Sequence, residues 1–191
     1  MYPPRYQYTH DIDWFCLIDD VPVHLASNGG ELPDDSYKAS ELVSIQRQVS
    51  ALEPIYKYEL NMPYLEQYLN DGRYDDLRDV DDFLTQSQMP ETAEMRGELP
   101  NLPLHWRAYC WSFIEMAKRG FFSFDRTVND KDRDGIYHLV AYPIYDREEL
   151  IVSGIKSKLV SYDSGYHNFS DWLNLMNDNV PFFDHLKMTG A

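Results

Sequence analysis

The stretch NDKDRDG places Asp130, Asp132 and Asp134 at alternate positions and follows them with Gly135. A calcium loop of the EF-hand kind needs oxygen ligands at its first, third and fifth positions, glycine at the sixth and a bidentate Glu at the twelfth. Counted from Asp130, the twelfth position is Ala141, and IYHLVAYP after the glycine reads as a strand rather than an exiting helix. Lys131 and Arg133 also interleave the acids. The expectation is a solvated hairpin tip whose Asp and Gly residues accept turn angles. A weak calcium site at Asp130, Asp132 and Asp134, completed by a distant acid such as Asp125, is the alternative.

A second set of candidate ligands is His10, Asp13, His24 and His138, from the chain start and from two strand-like runs. Two imidazoles and a carboxylate suit a transition metal. No pair among them has a diagnostic ligand spacing, so half-buried strand histidines are the simpler expectation. Cys16 and Cys110 both stand in apolar runs, DWFCLI and AYCWSFI, where burial raises the thiol pKa and makes the sulfur inert. No GxSxG, phosphate-cradling or dinucleotide motif is present. In SFDRT, Asp125 and Arg126 are adjacent, and neighbours on a strand face opposite sides. They are expected at a solvent-facing edge, because a buried charge needs a partner or costs several kcal/mol, roughly.

The densest chemistry is acidic. DGRYDDLRDVDD packs Asp75, Asp76, Asp79 and Asp82 along one helical stretch, with Tyr64, Tyr68 and Tyr74 flanking it. Like charges at helical spacing repel by a few tenths of a kcal/mol per pair, roughly. Their concentration, with aromatic rings beside them, suits docking onto a basic protein. The whole chain leans the same way: 17 Lys and Arg oppose 32 Asp and Glu, a net charge of −15. Such a surface repels nucleic-acid phosphates and anionic lipid head groups.

These residues need a scaffold, and 191 residues with 43% hydrophobic content are enough for one packed domain. Residues 1–11 read as an irregular arm, since Pro3 and Pro4 oppose regular structure. DWFCLI and VPVHLA, split by Asp19 and Asp20, read as a hairpin, and the first strand is apolar on both faces. Leu42, Ile45, Val49 and Leu52 mark a helix over about 36–52. NMPYLEQYLNDG has the start and stop residues of a short helix, and the acidic stretch follows with its own stripe of Tyr74, Leu77, Val80 and Leu84. The strongest helix signal runs from Asn101 to Gly120, carrying Leu102, Trp106, Tyr109, Phe113 and Ala117 on one face. FFSFDRT and IYHLVAYP form a second hairpin. Residues 147–162 lean helical on the spacing of Ile151, Ile155 and Leu159. SDWLNLMN reads as a short helix capped by Ser170, and the tail after Pro181 as irregular.

The expected fold is α+β: an antiparallel sheet built from two β-hairpins, about 13–26 and 121–142, with three to four helices between them and a short C-terminal helix. No apolar run is long enough to span a bilayer, and the start lacks the pattern of an export signal, so a cytoplasmic location is expected. The expected function is a non-enzymatic acidic module, inhibitor-like or immunity-like, that engages a basic protein and needs no cofactor beyond a weak calcium or transition-metal ion. The alternatives are a metal-dependent hydrolase built on His10, Asp13, His24 and His138, and a structural domain of a larger assembly.

Overall fold

The computed structural model describes residues 2, 4–7, 10–30, 32, 37–70, 93–99, 101–102, 104–127, 135–144, 153–176 and 186–188, with side chains at all of these except 67–70 and 105. Its centre is a seven-stranded mixed sheet in the order β3-β5-β4-β2-β1-β6-β7. The strands are β1 Asp13–Ile18, β2 Val21–Ala26, β3 Lys57–Leu60, β4 Phe122–Arg126, β5 Tyr137–Ile144, β6 Val160–Asp163 and β7 Lys187–Met188. Seven helices accompany it among the described residues: α1 Pro4–Gln7, α2 Ala39–Ser50, α3 Met62–Asn70, α4 Ala93–Glu98, α5 Leu104–Lys118, α6 Ser153–Lys156 and α7 Phe169–Met176. No helix among the described residues is long and apolar enough to cross a membrane.

Both expected hairpins form, as the antiparallel pairs β1–β2 and β4–β5. The purely antiparallel sheet does not. β2 runs parallel to β4, and β1 runs parallel to β6. The reason lies in the connections. The chain between β2 and β4 holds α2 to α5, a crossover long enough to return it to the end where it began. Three strands were not foreseen. β3 lies at one edge, antiparallel to β5. Residues 160–162, at the end of the region read as helical, belong to strand β6, and among the described residues of that region Ser153–Lys156 forms a helical turn. The two-residue β7 pairs with β6 inside the tail read as irregular. At the start, Pro4 opens α1 rather than blocking it, because proline fits the first helical turn, where its missing N–H has no partner to lose.

β1 and β2 are central. Every residue from Trp14 to Ile18 and from Val21 to Ala26 is buried. Their tight turn places Asp19 and Asp20 at φ +49° and +67°, the left-handed pair a two-residue hairpin needs. Asp19 does more than turn. Its carboxylate accepts the Ser164 N–H at 3.0 Å and the Ser164 hydroxyl at 2.5 Å, and its own N–H donates to the Tyr162 carbonyl at 3.0 Å. The turn thus fastens the end of β6. Asp19→Gly should keep the backbone angles and lose the two side-chain bonds, lowering stability by about 2 kcal/mol. Asp19→Ala should cost about 1 kcal/mol more, the left-handed penalty. The shift of the urea midpoint reads both.

The two faces of the sheet are covered differently. α7 lays Phe169 and Trp172 against Phe122 and Phe124, with ring centroids 4.8 Å and 5.9 Å apart. The cap of α7 is Asn168, whose Oδ1 accepts the Asp171 N–H at 3.1 Å, rather than Ser170. α2 buries Leu42, Ile45 and Val49, as the spacing requires. α5 covers the opposite face: its Cys110, Phe113, Ile114 and Ala117 join Ala26, Val140 and Ala141 in one cluster. It ends at Gly120, at φ +95°. Both cysteines are buried thiols; burial pushes Cys110 up to about 12.

Candidate functional site

Two groups of buried polar side chains lie on the β4 face beneath α5. On a strand, alternate residues share a face, so Ser123, Asp125 and Thr127 point one way and Phe122, Phe124 and Arg126 the other. Register then fixes the neighbours. His24 of β2 lies beside Ser123, and His138 of β5 lies beside Asp125. Two short chains of hydrogen bonds result.

In the first, His24 Nδ1 meets Ser123 Oγ at 2.6 Å and His24 Nε2 meets Asp13 Oδ1 at 2.9 Å. The residue types are those of a serine hydrolase triad, but the order of exposure is reversed. Ser123 is fully buried and His24 nearly so, while the Asp13 side chain is 52% exposed. A nucleophile must meet its substrate, and this hydroxyl faces the interior against β5 and α5. Burial opposes ionisation of Asp13, but the His24 hydrogen bond and charge outweigh it and hold the carboxyl below its usual range. The set joins β1, β2 and β4 rather than presenting a reacting group.

In the second, the Tyr109 hydroxyl donates to Asp125 Oδ2 at 2.8 Å and lies 2.9 Å from His138 Nε2. Thr127 Oγ1 is 3.3 Å from His138 Nδ1, and Tyr64 stacks on the imidazole at 5.3 Å. Burial pushes Asp125 up to about 7 and His138 down to about 3, so the imidazole is neutral. One hydroxyl serves two partners here, donating its proton to one and accepting from the other. With Asp125 ionised, Tyr109 donates to it, so His138 carries its proton on Nε2 and accepts from Thr127 at Nδ1. With Asp125 protonated, the directions can reverse along the whole chain.

Arg126 is the third buried polar group, 1% exposed, with its guanidinium 5.8 Å from the centre of the Tyr137 ring. It is hydrogen-bonded to the Tyr137 hydroxyl. Gly30 and Gly135 close around it: a β-carbon on Gly30 would stand 1.7 Å from Nη1, and one on Gly135 2.4 Å from Nε. Asp125 and Arg126 are therefore both interior, not an edge pair in solvent. β4 has neighbours on both sides and a helix on each face, so no edge exists there.

The four histidine and aspartate candidates are spread rather than gathered. His10 is exposed, stacked on Tyr6 at 3.8 Å, with Nδ1 at 3.0 Å from the Tyr6 carbonyl oxygen. Asp13 and His24 pair with each other, and His138 belongs to the Tyr109 chain. Among the described residues, no three His, Cys, Asp or Glu side chains are grouped to hold a metal. Asp130, Asp132 and Asp134 lie outside the described residues, as do Tyr74, Asp75, Asp76, Asp79 and Asp82, and the Tyr68 side chain. Tyr64 is the one member of the proposed docking set with a described side chain, half-buried against His138. Ser123, Tyr109 and Thr127 were missed. For Ser123 and Thr127 the signal was the alternation in SFDRT, which reads equally well as a solvent face until a helix is laid over it.

No protein-family model, curated protein or solved structure matches this chain.

Proposed function

We propose that this protein is a non-enzymatic binding module whose acidic surface engages a basic protein, in the manner of an inhibitor or immunity protein. The observation that carries the reading is the excess of 32 acidic over 17 basic side chains, with Asp75, Asp76, Asp79 and Asp82 crowded into one short stretch. A field of that sign raises the encounter rate with a cationic partner and turns away anionic ones. The inward direction of the buried clusters agrees with it: His24 is held between Ser123 and Asp13, and Tyr109 joins Asp125 to His138. Tyr64, Tyr68 and Tyr74 supply the aromatic component that charge alone lacks.

The test uses two quadruple variants and a panel of small basic proteins. One converts Asp75, Asp76, Asp79 and Asp82 to Asn; the other neutralises Asp20, Glu53, Glu94 and Asp171, which are exposed and lie outside the 64–82 stretch in sequence. Both change the net charge equally. The first should weaken binding at least about tenfold more than the second. Equal losses would mean diffuse attraction without a docking site, and would sink the reading.

A further inference from the structure

An open pocket of about 480 Å³ lies where β3, β5 and β4 meet the start of α7. Its walls are apolar and aromatic: Val21, Phe122, Leu139, Tyr142 and Phe169, with Ile144 and Leu173 also in the lining. One carboxylate enters it, from Glu59 on the edge strand. Resting on the reading of the chain as an acidic module, we propose that this pocket receives an arginine side chain of the basic partner.

Three observations select that occupant. The Tyr142 ring is stacked on Phe122, 13° from parallel with centroids at 5.9 Å, so it is held in a fixed plane while remaining half-exposed in the pocket lining. A guanidinium is planar and stacks on such a ring. The Tyr142 hydroxyl donates to Glu59 Oε2 at 2.6 Å, which fixes the carboxylate and leaves Oε1 to accept a second donor. Glu59 makes no ion pair among the described residues and is exposed, so its charge is available. Finally, Ile144 is 48% exposed at the pocket, an apolar surface of the kind that covers an arginine's methylene stem. A neutral apolar guest would desolvate Glu59 without replacing its hydrogen bonds, and an anion would be repelled by it. An ammonium would meet the carboxylate but has no flat face for the rings. Lys57 stands two residues before Glu59 on β3, opposite Ile144, on the same face of the sheet. Its charge opposes a cationic guest, which gives the proposal a second, oppositely signed test.

N-acetyl-arginine amide is titrated into the full chain at constant ionic strength, and the methyl signals of Val21, Leu139, Ile144 and Leu173 are followed by NMR. Saturable shifts confined to these methyls are expected. N-acetyl-lysine amide should bind at least about threefold more weakly, and Glu59→Gln should weaken the arginine derivative about tenfold. Lys57→Gln should strengthen it about twofold. Unmoved methyls, or an unchanged affinity in Glu59→Gln with the remaining spectrum intact, would overturn the pocket assignment. The two readings fail separately. A basic protein that loses binding to the Asp75–Asp82 variant but not to Glu59→Gln overturns the pocket alone. Pocket shifts with the arginine derivative, without binding to any basic protein of the panel, overturn the module alone.

Discussion

In His138→Gln, stability should fall as pH rises from about 4 to about 7; in Asp125→Asn, it should fall as pH drops through the same window. The signs follow from proton counts. Asp125 titrates at about 7 in the fold against 3.8 when exposed, so the folded chain holds a proton that the unfolded chain has released. That stabilisation is complete below about 4 and is lost as pH rises through 7. His138 titrates at about 3 in the fold against 6.5 when exposed, so the unfolded chain takes up a proton that the folded chain refuses. Its contribution is present above 6.5 and is lost as pH falls toward 3. Over most of the interval the two slopes cancel, each being about 1.4 kcal/mol per pH unit. Removing either partner exposes the other. Urea midpoints at pH 4.5, 5.5 and 6.5 should show the variants departing from the parent in opposite directions, by about 3 kcal/mol across the range. Variants that stay parallel to the parent would mean that neither group is held as described. Tyr109→Phe should lower stability by about 1 to 3 kcal/mol, because it leaves the Asp125 carboxyl and the His138 Nε2 without their shared partner.

Gly30→Ala and Gly135→Ala should each destabilise the fold by about 2 kcal/mol or more, through contact with the buried guanidinium of Arg126. The cost is steric and not conformational, since neither glycine has the left-handed φ that would strain an alanine. Arg126 is long, but it is 1% exposed, so displacing it breaks its place over Tyr137. Two other glycines supply the contrast. Gly97 in α4 and Gly154 in α6 face open space, and alanine there should be neutral or stabilising by up to about 1 kcal/mol. The cycle Arg126→Met with Gly30→Ala should show strong coupling, because methionine vacates the volume the new methyl enters. Additive losses would place the strain elsewhere. Gly30 and Gly135, the glycine after the alternating aspartates, thus share one described role, as the walls of an arginine slot.

What could be read from the sequence was local. Strand period and turn residues located β1, β2, β4 and β5, and the apolar stripe located α2 and α5, because these signals are carried within each segment. The joining of segments is not. Whether β4 lies parallel or antiparallel to β2 depends on the end to which the α2–α5 crossover returns the chain, and no residue in either strand records that. The short edge strands β3 and β7 were missed for a related reason. KYEL, half-exposed, has too few apolar positions to distinguish it from loop, and it is held by pairing with β5. The polar centre was legible in its parts only. Asp125, Arg126 and His138 were each visible as candidates; their convergence with Tyr109 comes from register across two strands and a helix some way back in the chain.

The most direct test of the account is the ionic-strength dependence of association with a basic protein. The Kd should rise at least about tenfold between 50 and 500 mM salt, since exposed charges lose most of their reach as the Debye length shrinks. It should rise less for the variant with Asp75, Asp76, Asp79 and Asp82 neutralised. An association that is tight and indifferent to salt would contradict the claim that the exposed acids of this chain are its working surface.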